Sequence, residues 1–99
     1  MTRRLSVVPE AEAELSAAAT WYESRRPGLG VEFVAVIDAA LERILDNPDA
    51  SAVWMRGRPF RRQVVERFPF VIFYSSSEES VEVYAVAHAR RRPGYWLDR

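Results

Sequence analysis

His88 is the side chain in this sequence with the clearest capacity for acid–base chemistry. It is the only histidine, and histidine is the residue that most readily exchanges protons near neutral pH. It is followed by Arg90, Arg91 and Arg92, and beside these cations it could serve as a base or a hydrogen-bond partner. A structural histidine at the end of a strand fits the same position, so both interpretations stand.

Arginines and aromatic residues form two further groups, and no lysine is present. The first group is Arg56, Arg58, Arg61, Arg62 and Arg67, and the second is Arg90, Arg91, Arg92, Tyr95, Trp96 and Arg99. Arginine beside exposed tyrosine or tryptophan is typical of binding hot spots and of nucleic-acid platforms. The residues that we expect to contact a target are Arg90, Arg91, Tyr95 and Trp96. Loss of residues 95–99 should then remove that contact and leave the fold cooperative; the alternative is a solvated face with Trp96 folded onto the core.

The sequence predicts neither a metal site nor a cofactor site. One histidine and no cysteine leave only carboxylates as ligands, and the spacing of Glu10, Glu12 and Glu14 scatters them around a helix. Acids at a helix start more simply complement its dipole. Gly28 and Gly30 precede a helix but lack the lysine of a phosphate-binding loop.

The composition fits one small globular domain that spans residues 1–99. The chain has 99 residues, of which 48% are hydrophobic and 28% charged, which is far from the composition of disordered chains. The absence of cysteine suits a reducing compartment, and the apolar run before Pro9 is too short for a signal peptide or a membrane span. We therefore expect a cytoplasmic protein with no membrane contact.

The first half of the sequence reads as a strand followed by two helices. Alternation over residues 3–8 predicts a strand that Pro9 ends. Apolar residues at three- and four-residue spacing predict one helix over about residues 10–24 and a second that ends at Asn47-Pro48. The breaker cluster at residues 26–30 lies between them, so this half is predicted to form a helical hairpin.

The second half reads as three strands. Val64-Val65, residues 68–74 and residues 81–87 are rich in β-branched or aromatic residues, and the polar tip at residues 75–80 predicts an antiparallel hairpin between the last two. Neither half can bury its apolar surface alone. The predicted fold is α+β, in the order βααβββ, with the helical hairpin packed on a small, mainly antiparallel sheet.

Several stretches in this order resemble the RelE/ParE superfamily of type II toxins. They are Pro9 through Trp21-Tyr22-Glu23, Pro27-Gly28-Leu29-Gly30 with Phe33, Asn47-Pro48, Arg67-Phe68-Pro69-Phe70 with Tyr74, and His88-Ala89-Arg90-Arg91 before Tyr95-Trp96. The resemblance spans nearly the whole chain, and the superfamily has the same βααβββ layout.

The resemblance implies a choice between two functional classes. RelE-like members cleave messenger RNA in the ribosome, whereas ParE-like members poison DNA gyrase. The stretches at residues 21–23, 27–30 and 67–70 are similar to the ParE-like, plasmid-stabilisation branch, which implies a gyrase inhibitor that is not itself a catalyst. One alternative is a RelE-type endoribonuclease, whose catalytic set here would be His88, Arg67, Arg90 and Tyr95. A second alternative is a non-toxic protein-binding module.

The resemblance also implies a cognate antitoxin that neutralises the toxin in a hetero-oligomer. We expect an apolar antitoxin helix to dock on the outer faces of the helical hairpin, at Trp21, Tyr22 and Val34. Acidic antitoxin residues are expected to pair with Arg61 and Arg62.

Overall fold

The N-terminal strand runs directly into the first helix at Pro9. In a computed structural model that describes residues 3–99, strand β1 spans Arg4–Val7 and helix α1 spans Pro9–Arg25; Met1 and Thr2, which belong to the segment considered above as a possible signal peptide, lie outside the described residues. Proline suits the first turn of a helix because its missing N–H would have no intrahelical partner there. The predicted strand and helix are both confirmed.

A tight loop joins α1 to helix α2, which spans Leu29–Asp46. Gly28 turns the chain with a left-handed φ of 89°, a conformation that glycine adopts without steric cost. The Glu23 carboxylate accepts the N–H groups of Gly28 at 2.8 Å and Gly30 at 3.0 Å. A Cβ at Gly30 would lie 2.5 Å from the carbonyl oxygen of Ala19, so the hairpin closes only with glycine at this position.

The second half contributes four strands, which form a five-stranded sheet with β1. After a 3-10 turn at Pro48–Ala50, they are β2 (Ala52–Val53), β3 (Arg61–Val64), β4 (Phe70–Ser76) and β5 (Ser80–His88). The α+β prediction is confirmed, with one addition, since the two-residue strand β2 was not predicted. Two residues inside a polar connection are too few to show alternation.

The strand order in the sheet is β1-β5-β4-β3-β2. The pairs β2–β3, β3–β4 and β4–β5 are antiparallel, while β1 lies parallel to β5 with Arg4 opposite Ser80. The sheet is therefore mainly antiparallel, as predicted, and its only parallel pair among the described residues joins the first strand to the last.

The helices cover one face of the sheet and form the larger core. Phe33, Ile37 and Ile44 of α2 are buried against sheet residues that include Ile72 and Val83. Each such side chain stabilises the fold by roughly 1.5–3 kcal/mol relative to an exposed position. The prediction that both helices lie across one sheet face is confirmed.

The opposite face carries a second, smaller core. A β-bulge shifts the register so that Phe73 pairs with Ala85 and Tyr74 with Val83, which leaves Tyr84 without a partner residue on β4. Phe73 and Ala85 belong to this core with Trp96, and Tyr84 packs against it. We refer to residues 89–99, which follow β5 and cover this face, as the C-terminal segment.

Within residues 3–99, neither helix is both long enough and apolar enough to cross a bilayer.

Candidate functional site

The C-terminal segment is built around a buried tryptophan. Trp96 is 1% exposed, and its ring stacks on Phe73 at a centroid distance of 4.9 Å and on Tyr84 at 5.9 Å. The expectation of an exposed Trp96 is therefore wrong, because the sheet face opposite the helices needs an apolar cover and the indole provides it. Loss of residues 95–99 would uncover this face. We therefore expect the truncated chain to lose its cooperative fold, contrary to the expectation from sequence.

Strand β5 has a free edge where β1 stops, and Glu14 fills it. Pairing of β1 with β5 reaches only Val83, because Pro9 turns the chain into α1. Further along β5, the N–H of Val86 donates instead to Oε1 of Glu14 at 3.1 Å. A buried N–H without an acceptor would cost free energy comparable to a lost hydrogen bond. The first helix thus supplies, through one side chain, the acceptor that the first strand no longer provides.

The same carboxylate holds the C-terminal segment. Arg99 forms a two-point ion pair with Glu14, at 2.8 Å and 3.1 Å, and the Tyr95 hydroxyl donates a short hydrogen bond to Oε2. Arg99 also donates to the carbonyl oxygen of Tyr84 in the bulge, at 3.1 Å. We call Glu14, Tyr95 and Arg99 the Glu14 clamp.

The Glu14 clamp lies in a largely solvent-free position. The side chains of Arg99 and Glu14 are 17% and 16% exposed, so their attraction is screened less than that of a surface pair. Burial, followed by the Glu14 hydrogen bond, raises the pKa of Tyr95 to about 12, and the Glu14 hydrogen bond raises the pKa of Arg99. Tyr95 is therefore held as a neutral donor and Arg99 as a cation.

Tyr95 supports one arginine of the predicted target surface, Arg91, rather than presenting its own hydroxyl. The guanidinium carbon of Arg91 lies 3.9 Å from the Tyr95 ring centroid, a distance typical of cation–π contact. Arg90 and Arg91 are exposed. Of the four residues predicted to contact a target, these two remain accessible, while Tyr95 is half-buried and Trp96 is buried.

His88 ends β5, as predicted, and is half-buried. Its Nδ1 accepts the backbone N–H of Arg90 at 3.1 Å, and its ring meets Phe70 edge-on at 5.3 Å. This geometry is that of a histidine that caps a strand end. It fixes the turn that carries Arg90 and Arg91.

The side chains of the alternative ribonuclease set do not converge on one point. The guanidinium of Arg67 pairs with Glu32 of α2 at 2.8 Å, on the helical side of the sheet, and the Tyr95 hydroxyl is committed to Glu14. The hydrogen bond from Arg67 to Glu32 holds the pKa of the Glu32 carboxyl below its usual range. His88 and Tyr95 line a common cavity, whereas Arg67 and Arg90 are absent from its lining.

Arg61 and Arg62 point to opposite faces of the sheet, as adjacent strand residues must. Arg61 is engaged on the helical side, where it donates to the carbonyl oxygen of Ser51 at 2.7 Å and pairs with Asp49 at 3.7 Å. Arg62 lines the cavity on the other face. The two residues therefore do not form one surface, although the sequence placed them together as antitoxin contacts.

The helical hairpin presents an open apolar groove on its outer side. Its lining is Ala19, Thr20, Glu23 and Ser24 of α1 with Gly30, Val31, Val34, Ala35 and Asp38 of α2. We call it the hairpin groove. Of the three residues predicted for antitoxin docking, only Val34 belongs to it.

The other two predicted docking residues lie elsewhere on α1. Tyr22 packs on Phe33 and Phe68 in the core, at centroid distances of 5.1 Å and 4.9 Å. Trp21 is 52% exposed, outside the groove lining, with Arg25 over its ring. The prediction placed Trp21 and Tyr22 on one face because each fits the helical spacing of apolar residues. Adjacent residues on a helix, however, point in different directions.

Sequence reasoning missed the central role of Glu14. It grouped this residue with Glu10 and Glu12 as a complement to the helix dipole, which leaves out its hydrogen bonds to Val86 and to the C-terminal segment. A signal was present, because Glu14 follows Ala11 by three residues and precedes Ala18 by four, which puts it on the apolar stripe of α1. A carboxylate on a buried stripe requires a partner.

No three His, Asp or Glu side chains within residues 3–99 lie close enough together to hold a metal ion.

The comparisons with known proteins agree on one family. Residues 5–93 match the family model described as the ParE toxin of the type II toxin–antitoxin system parDE. Two proteins named Toxin ParE2, from Mycobacterium tuberculosis strains CDC 1551 / Oshkosh and ATCC 25618 / H37Rv, are each 28% identical over 94 residues, which cover 94% of this chain and 88% of the relative.

A solved structure shares the fold. The structure titled "Chromosomal ParDE TA system from P. aeruginosa" superposes with a TM-score of 0.75 at 17% identity, over 88% of this chain and 96% of that chain. At this identity the match speaks for the fold alone, in which two helices lie on a mixed five-stranded sheet.

We predict that Glu14→Gln destabilises the protein by about 3 kcal/mol, as expected when one partner of a buried ion pair is removed. The amide keeps the size of the side chain but leaves Arg99 uncompensated. Denaturant unfolding, followed by tryptophan fluorescence, measures the change. Glu12→Gln, at an exposed position on the same helix, is the matched control and should be neutral; equal effects of the two variants would refute the clamp.

We predict that the folded state loses stability as pH rises from about 10 to about 12. The pKa of Tyr95 is raised from 10.0 to about 12, and burial also raises those of Tyr22 and Tyr74. Between these pH values the unfolded chain releases tyrosine protons that the folded chain retains, so the free energy of unfolding falls; below about pH 10 these groups have no effect. Urea unfolding over this range should show a shallower fall for Tyr95→Phe, and an unchanged slope would contradict the assignment.

Proposed function

This chain belongs to the ParE toxin family of type II toxin–antitoxin systems, and from that premise we propose that it arrests growth by inhibiting DNA gyrase while a cognate antitoxin holds it inactive. The resemblance found in the sequence is confirmed, and with it the function as the toxin component of such a system, which has an antitoxin partner. The target, the contact surfaces and the cytoplasmic location are the proposed part.

One observation favours gyrase over messenger RNA as the target. Two of the four residues that a ribonuclease of this superfamily would use here are already engaged, since Arg67 pairs with Glu32 and the Tyr95 hydroxyl bonds to Glu14. General acid–base attack needs a proton-transfer group within hydrogen-bond reach of the substrate. An inhibitor that acts by binding needs only an accessible surface with a fixed shape.

That surface is proposed to be the turn after β5. Arg90 and Arg91 are exposed there, on a backbone that His88 and the Glu14 clamp hold in place. An arginine whose side chain is held, as that of Arg91 is on the Tyr95 ring, binds at a lower cost in side-chain entropy than a flexible one. Tyr95 and Trp96 then support the target contact from below.

The antitoxin is proposed to dock in the hairpin groove with an apolar helix. Small residues such as Ala19, Gly30 and Ala35 let a partner approach closely, and Val31 is 73% exposed although it is apolar. An apolar helix laid into such a groove is a common mode of peptide recognition. Trp21, beside the groove, and Arg62, on the opposite sheet face, stay in the proposal as secondary contacts.

The gyrase proposal is tested by induced expression with and without the antitoxin, together with a supercoiling assay on purified toxin. We expect growth arrest that the antitoxin relieves and inhibition of supercoiling by the toxin alone. Arrest with normal supercoiling and cleaved messages would favour the ribonuclease. No arrest at all would favour the non-toxic binding module.

For the antitoxin surface, we predict that Val31→Glu weakens antitoxin binding by at least about tenfold, or roughly 1.4 kcal/mol, because it introduces a charge into an apolar contact. Val64→Glu is the matched control, since Val64 is an equally apolar residue that is 59% exposed on β3. Titration calorimetry with the antitoxin measures both, and growth arrest without antitoxin should persist in both. Equal affinities would remove the groove from the interface.

A further inference from the structure

A small cavity lies on the sheet face that the C-terminal segment covers. Its volume is about 120 Å³, well above the space that one water molecule needs. Its lining includes the aromatic residues Trp54 and Trp96 and three exposed arginines, which are Arg62, Arg91 and Arg92. We call it the arginine cavity.

The charge of this cavity is unbalanced. No aspartate or glutamate lines it, and none of its three arginines takes part in an ion pair within residues 3–99. Elsewhere in this part of the chain, Arg61, Arg67 and Arg99 are each paired with a carboxylate. Three cations around one small space repel one another unless an anion joins them.

One of the arginines is held in place. Arg62 projects from strand β3 towards the cavity lining, whereas Arg91 is stacked on Tyr95 with its backbone N–H bonded to the carbonyl oxygen of His88 at 2.9 Å. Tyr95 is in turn fixed by Glu14. The Arg91 guanidinium is therefore positioned before any ligand arrives, which lowers the entropic cost of binding.

A buried hydrogen-bond donor belongs to the same lining. The indole N–H of Trp96 is buried and has no acceptor within residues 3–99. A buried donor of this kind costs roughly 1–3 kcal/mol when it stays unsatisfied. Because Trp96 lines the cavity, its indole resonance can report on changes there.

From these observations we propose that the arginine cavity binds a phosphate group. Guanidinium groups match the geometry of phosphate with paired N–H donors. A carboxylate carries a single charge and two acceptor oxygens, whereas a phosphate monoester carries about −1.5 to −2 charges and three strong acceptor oxygens. Three arginines without a neighbouring carboxylate suit the second better. The site goes beyond the proposed function and does not depend on gyrase being the target.

The phosphate can come from the free ion or from a nucleic acid, and a titration separates the two. The probes are inorganic phosphate, a short duplex DNA with 5′-phosphates and the same duplex without them. The readout is the indole N–H resonance of Trp96 in proton–nitrogen spectra of the full chain, with Trp21, outside the cavity, as the internal reference. We expect a saturable shift of Trp96 with inorganic phosphate and none at Trp21.

Binding of DNA that is tighter than that of inorganic phosphate and is weakened by salt would identify nucleic acid as the source. Equal or weaker binding of DNA would identify the free ion. Both outcomes support the site. The variant Arg91→Gln/Arg92→Gln should weaken phosphate binding by at least about tenfold, while Arg25→Gln, the control near Trp21, should not. A Trp96 resonance that phosphate leaves unmoved, a double variant that binds as well as the native chain, or a response to a glutamate-rich peptide in place of phosphate would each overturn the proposal. None of these measurements uses gyrase, so a negative result would count against the phosphate site and not against the proposed function.

Discussion

The backbone N–H of Val86 needs an acceptor at a place where the sheet no longer provides one, and the arrangement of this protein follows from that need. Strand β1 stops beside Val83, because Pro9 starts the helix there, so the rest of β5 has no neighbour on that side. Glu14 supplies the missing acceptor. A buried carboxylate must itself be compensated, and Arg99 and Tyr95 provide that compensation. The C-terminal segment is thereby tied to the first helix, and Trp96 is fixed over the second core.

The two faces of the sheet have different chemistry as a result. The helical side ends in an apolar groove with small residues, whereas the other side has an aromatic core beneath exposed arginines. Two surfaces of such different character suit two kinds of ligand. In a toxin that binds both an antitoxin and a target, two such surfaces allow the two contacts to be made at different places.

The elements of the fold could be predicted from sequence, because the period of apolar residues changes from helical to alternating between the two halves. Strand β2 is too short to show a period. The site was harder to predict, because it depends on contacts between distant residues such as Glu14 and Arg99. Trp96 shows the same limit, because the local sequence after the last strand does not distinguish an exposed aromatic residue from a buried one. Arg61 and Arg62 could have been separated, since strand alternation alone sends adjacent residues to opposite faces.

The parallel pairing of β1 with β5 has a consequence for how this protein folds. Arg4 meets Ser80, so about three quarters of the chain must be enclosed before the first strand finds its partner. The entropic cost of closing such a long loop precedes any gain from the contact. The helical hairpin and the β4–β5 hairpin involve shorter separations and can form earlier. Until β1 docks, β5 offers an unpaired edge to other chains, a known route to aggregation. Folding rate and aggregation are thus governed by the joining of the two strands that lie furthest apart in sequence.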